Sequence, residues 1–132
     1  MREAPKDGAT RFENIRTQPL KKHRVFNNPE VVAEGWYPVC KSSDLKRGQA
    51  DSFLVTYQRI LVYRTETGRV AAMDAFCPHM GADLANGTVI GENIQCYFHQ
   101  WQFSCDGKLA KTRCESDPEG VANQSWPVEE QY

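Results

Sequence analysis

Two short clusters hold the side chains with metal chemistry: Cys77-Pro78-His79 and Cys96-Tyr97-Phe98-His99, separated by residues 80–95. The pattern, C-x-H followed by C-x-x-H, offers two soft sulfur ligands and two borderline nitrogen ligands. The chain has three histidines, and the one outside the clusters, His23, lies in the basic run 21–24. A Cys₂His₂ zinc site is one chemistry for such a set, as a structural module that binds a partner. Structural zinc sites usually pair Cys with Cys and His with His in each knuckle, whereas each half here is mixed. Mixed halves suit a cluster of two irons in which each loop reaches both metals, and hence one-electron chemistry.

The elements that must position these clusters read as short strands. Residues 36–40 are expected to form the first, and 42–44 to start a short helical turn ending near Gly48. Residues 53–57 and 60–64 read as a hairpin around Gln58-Arg59, and 65–69 as the next turn, at Gly68. A strand at 70–74 runs into the first cluster. Residues 93–96 lead into the second and 101–104 leave it. Asp106-Gly107 is a tight-turn signal, and 126–129 reads as a final strand. Short strands at this spacing, without a long 3.6-period segment, predict an all-β fold: a small antiparallel barrel or sandwich with the two loops at one tip.

At 132 residues the chain suits one domain that buries about two-thirds of its unfolded surface. Residues 1–34 read as an N-terminal arm, rich in Lys, Arg, Asn and Gln up to about Asn28, and 35–132 as the domain. The formal net charge of −1 gives no sign of nucleic acid or of a membrane surface as partner. The longest apolar runs, such as Ile60-Leu61-Val62-Tyr63, are too short to span a bilayer, and residues 1–8 hold no signal-peptide core. A cytoplasmic location is expected. Five cysteines leave Cys40, Cys105 and Cys114 outside the clusters. An odd remainder argues against a secreted disulfide framework, and these three read as buried thiols, with no Cys105–Cys114 bridge expected.

The stretches Cys77-Pro78-His79-Met80-Gly81-Ala82 and Cys96-Tyr97-Phe98-His99-Gln100-Trp101 resemble the loops of a Rieske [2Fe-2S] domain. The resemblance covers 36–129 and is nearest to the N-terminal Rieske domain of Rieske non-haem iron oxygenases. Respiratory Rieske proteins carry an extra Cys in each loop; the matching positions here are Ala82 and Phe98. Trp101 after the second His is typical of the oxygenases, as is Gly35-Trp36-Tyr37-Pro38-Val39. Gln100 departs from the Gly or Asp often found there. Among the oxygenases the loops look nearest to the steroid- and sterol-acting branch.

This resemblance implies a Rieske-type [2Fe-2S] cluster with Cys77, His79, Cys96 and His99 as metal ligands. It implies one-electron transfer from a reductase or ferredoxin to the mononuclear iron of an oxygenase. That iron needs two further His and a carboxylate. Only His23 remains, so this chain is expected not to be catalytic alone. A stand-alone Rieske-type ferredoxin is the alternative. Two ferric ions, two sulfides and two thiolates sum to a neutral site, so an added electron meets less repulsion than in an all-Cys cluster. The potential is expected at the low end of the roughly −150 to +300 mV Rieske range. The electron should rest on the iron bound by His79 and His99, whose free ring nitrogens can couple it to a proton.

The remaining expectations concern the loops. Gly81 is read as allowing a close backbone approach and Pro78 as stiffening. Met80 is read as a gap filler, and Trp101 as lying over the cluster or serving as a core aromatic. Of Tyr97 and Phe98, one should face the core and the other a partner. Asp83 is read as a cap.

Overall fold

A computed structural model of the chain describes residues 33–113 and 118–131. Its longest run of buried apolar side chains is the middle of β2 (Gln58–Arg64), where Ile60, Leu61, Val62 and Tyr63 are all buried. Side chains alternate across a strand, so an unbroken apolar run requires cover on both faces. Leu61 and Tyr63 enter the main core. Ile60 and Val62 enter a smaller cluster with Leu45 and Ala72, against which Phe53, Val55 and Val70 pack. β2 therefore sits inside its sheet, between β1 (Ala50–Val55) and β3 (Val70–Asp74), and β8 (Ser125–Trp126) pairs on the far side of β3.

A second antiparallel sheet follows chain order: β4 (Thr88–Ile90), β5 (Asn93–Gln95), β6 (Gln102–Phe103) and β7 (Leu109–Lys111). Val89, Ile94 and Phe103 from this sheet meet Leu61, Tyr63, Ala71 and Met73 from the first, with Leu84 between. The all-β antiparallel expectation holds, in the form of two sheets, and both Cys/His clusters lie on connections, after β3 and between β5 and β6.

Several boundaries differ from the expectation. Residues 36–40 form no strand: the segment is exposed and Pro38 has no N–H to give to a ladder. The first hairpin turns at Thr56-Tyr57, two residues early, because Val55 pairs with Gln58 and Phe53 with Ile60. Thr56 there has φ 57°, a conformation in which a β-branched residue is an outlier. Residues 42–44 form one 3₁₀ turn that stops at Leu45. The last strand is shorter than expected and starts one residue earlier, at Ser125. β4 and β7 were not anticipated. Each is three residues long and pairs through a tight turn, at Gly91-Glu92 and at Asp106-Gly107.

Candidate metal centre

β3 delivers the chain into the first loop, where the Cys77 N–H donates to the Ala82 carbonyl (2.8 Å) and the Gly81 N–H returns to the Cys77 carbonyl (2.8 Å). The second loop repeats this frame. The Cys96 N–H donates to the Trp101 carbonyl (2.8 Å), and the Gln100 N–H to the Cys96 carbonyl (3.0 Å). The fifth residue of each frame is left-handed: Gly81 has φ 76° and Gln100 has φ 62°. Two lengths of ligand spacing are thus carried on one backbone design, His79 at the third place and His99 at the fourth. A Cβ on Gly81 would meet no protein atom within 4 Å, and the left-handed φ that the turn requires is the feature of this glycine on view. Gln100 pays the left-handed cost that Gly81 avoids.

Depth separates the ligand types. Cys77 and Cys96 are buried, 3% and 2% exposed, whereas His79 is exposed and His99 half-buried. The imidazoles meet edge to face, with centroids 4.6 Å apart at 71°. The two thiols are within hydrogen-bonding reach of each other. Burial pushes the Cys77 thiol up to about 11, and Cys96 adds to this, while the backbone N–H groups of His79 and Met80 pull the other way. Those two N–H groups aim at the sulfur, the arrangement expected of loops that stabilise thiolates. Cys77 without a metal is a protonated thiol at neutral pH, and metal binding must displace that proton.

Among the described residues, no three His, Cys, Asp or Glu side chains are grouped around a point where they could hold one ion. A tetrahedral zinc site needs all four ligands around one ion. A two-iron cluster needs two thiols at one end and two imidazoles at the other, and these residues fit it.

The neighbouring positions split the expectations. Trp101 is the core aromatic of the two readings, 7% exposed and part of the main core, and its indole stacks on the His79 ring at 4.2 Å and 14°. Met80 is 65% exposed and fills no gap. Tyr97 and Phe98 are both exposed, 56% and 54%, because a tight loop does not alternate faces as a strand does; Phe98 lies 4.0 Å from the His99 ring. Asp83 is the expected cap, accepting the Ala85 N–H at 2.9 Å. Cys40 is exposed and Cys105 half-buried, so neither is the buried thiol expected. His23, the basic run 21–24 and Cys114 lie outside the described residues.

Sequence reasoning missed the support beneath the first loop. Asp74 Oδ1 accepts from Gln58 Nε2 (2.7 Å) and from the Trp126 indole (2.8 Å), and the Asp74 carbonyl accepts from buried Asn123 (2.8 Å). A carboxylate closing an apolar strand was the available signal.

Comparison with known proteins agrees with this geometry. A model of the Rieske [2Fe-2S] domain matches residues 35–127. The chain is 38% identical over 131 residues to cholesterol 7-desaturase nvd of Bombyx mori, covering 90% of this chain and 29% of that protein. Its fold resembles that of dicamba monooxygenase bound to dicamba (TM-score 0.68, 25% identity, 74% of this chain and 31% of that one). It also resembles a chain from the complex of reduced oxygenase and oxidised ferredoxin in carbazole 1,9a-dioxygenase (TM-score 0.60, 31% identity, 71% and 83%). The chain spans less than a third of the length of the desaturase it matches. Mixed thiol and imidazole loops at one end of an all-β fold, together with the domain match, place the chain in the Rieske [2Fe-2S] domain family, which binds a Rieske-type cluster.

Proposed function

We propose that this chain is the electron-transfer portion of a Rieske oxygenase terminal component, with residues 35–132 as its cluster domain. Cys77 and Cys96 would hold one iron of a [2Fe-2S] cluster, and His79 and His99 the other. The observation that carries the reading is the depth order of the ligands, buried thiols beneath surface imidazoles. When bound, the cluster supplies a store for a single electron. The buried cysteines anchor its inner end in the core and exclude water there. His79 and His99 lead the electron outward and can each hold or release a proton at the ring nitrogen not facing iron.

A reductase or ferredoxin would supply the electron, and a mononuclear iron outside this chain would take it. The oxygenase reading is supported by the desaturase similarity, which covers 90% of this chain and so takes in sequence beyond the matched domain. A sterol or steroid is the substrate class this similarity favours. Among the described residues no helix is long and apolar enough to cross a membrane, and unbridged cysteines suit the reducing cytoplasm. The alternative, a stand-alone Rieske-type ferredoxin, is supported by the carbazole dioxygenase match, where 83% of the matched chain is covered.

Iron and sulfide analysis with EPR before and after dithionite tests the reading. A rhombic signal that appears only on reduction, with average g below that of an all-Cys cluster, is the expected result. Its loss in Cys96→Ser and His99→Ala should accompany it. Stoichiometric zinc and no signal after iron reconstitution would overturn the proposal.

A further inference from the structure

We propose that Trp101 is a positioning residue that straps the two ligand loops together and sets the orientation of His79; this rests on the cluster reading above. The Trp101 carbonyl closes the second loop by accepting the Cys96 N–H (2.8 Å), so its backbone belongs to the loop that carries His99. Its indole crosses to the first loop and lies flat against His79, 4.2 Å between centroids and 14° between planes. The residue at the same place in the first loop is Ala82, whose methyl group cannot make the return crossing.

Other links between the loops are few. No described backbone hydrogen bond joins 77–82 to 96–101. Two further contacts are between the ligands themselves: the two thiols, and the edge-to-face pair His79 and His99. Trp101 is therefore a connection in which one of the two partners is not itself a metal-binding group. Because the indole is 7% exposed and built into the main core, it gives exposed His79 a fixed surface to rest on. A ligand whose ring is held before iron arrives loses less rotational freedom on binding. His99 has no such backing, and its aromatic neighbour, Phe98, is itself exposed.

Trp101→Phe and Trp101→Met test the idea in the cluster-loaded protein, because their side chains are of similar size and only Phe retains a flat face. Two readouts are compared: the rate of cluster loss to a chelator, and the ¹⁴N couplings of the two histidines in the reduced state. The Met variant should lose its cluster about 10-fold faster than the Phe variant, the scale on which residues supporting metal ligands act. One histidine coupling should change in the Met variant while the other stays as in the wild type. Equal loss rates in the two variants, or both couplings moving together, would overturn the strap. A wild-type protein that takes up no iron and sulfide would instead sink the cluster reading itself.

Discussion

The Trp126 indole donates to the Asp74 carboxylate at 2.8 Å, three residues before Cys77. The same Asp74 oxygen accepts from Gln58, and the Asp74 backbone exchanges bonds with the 123–124 segment: its carbonyl accepts from the Asn123 side chain and its N–H donates to the Gln124 carbonyl. The first hairpin, the root of the first ligand loop and the last strand thus meet at one carboxylate.

Asp74→Ala removes the acceptor of two donors at once. Hydrogen bonds to a charged group contribute about 1.5–3 kcal/mol each, and neither donor here is deeply buried, so a total loss of about 2–3 kcal/mol is expected. Asp74→Asn keeps one acceptor oxygen and should lose about 1 kcal/mol. Urea denaturation of both variants checks the pair. Equal losses would mean that charge, not geometry, sets the value of this contact.

The shared frame of the ligand loops makes its left-handed position a matched test. Gly81→Ala meets no neighbour, so its cost should be purely conformational, about 1–2 kcal/mol. Gln100→Gly relieves the same cost and adds chain freedom to the unfolded state, for a net gain of up to about 1 kcal/mol. Both variants should show the wild-type EPR spectrum, since neither side chain is a ligand. Thermal melts of the loaded proteins give the stability terms.

Two other glycines are required by space. A Cβ on Gly87 would lie 2.2 Å from the Gln95 carbonyl oxygen, and one on Gly107 2.1 Å from that of Asn123. Backbone must shift to admit either methyl group. Gly87→Ala and Gly107→Ala should each lose about 3 kcal/mol or more, well beyond Gly81→Ala. Denaturant midpoints that rank Gly81→Ala as the most damaging would contradict this account.

Tyr63 provides a pH dependence. Its side chain is in the main core, with the hydroxyl 3.2 Å from the Glu92 carbonyl and 3.5 Å from the Cys105 sulfur. Burial raises its ionisation well above the usual tyrosine value, and Cys105 adds to the shift. The folded state therefore favours the neutral phenol. Its contribution is complete below about pH 10 and declines above it, by up to about 1.4 kcal/mol per pH unit. Tyr63→Phe should be about 1 kcal/mol less stable at neutral pH and should decline less steeply above pH 10. Urea midpoints of both proteins across that range decide it.

What could be read from the sequence followed from how local each signal is. The two Cys/His segments, the Asp106-Gly107 turn and the β2 run depend on neighbours within a few residues; the structure puts both segments on connections between strands, and the turn and the run where they were read. The Thr56-Tyr57 turn was missed because no glycine or asparagine marks it; register with β2 forces Thr56 into the left-handed region. The exposure of both Tyr97 and Phe98 follows from the tight frame between Cys96 and Gln100, which replaces alternation with a turn. Asp74, Gln58 and Trp126 were invisible as a unit because up to 68 positions separate them, and it takes the pairing of β2 with β3 and of β3 with β8 to bring them together.

The placement of His79 and His99 at the surface, with both thiols inside, gives the proposed carrier a single electrical pole. A partner arriving at any other face would gain nothing from the encounter, and orientational demands of this kind hold protein association well below the diffusion limit. A partner held permanently opposite the imidazoles escapes that waste, because a step within one assembly replaces a search among collisions. Under the proposed function, one-sided exposure of the ligands suits a fixed complex, in which the imidazoles face their partner at all times, as well as a carrier that docks through this one face.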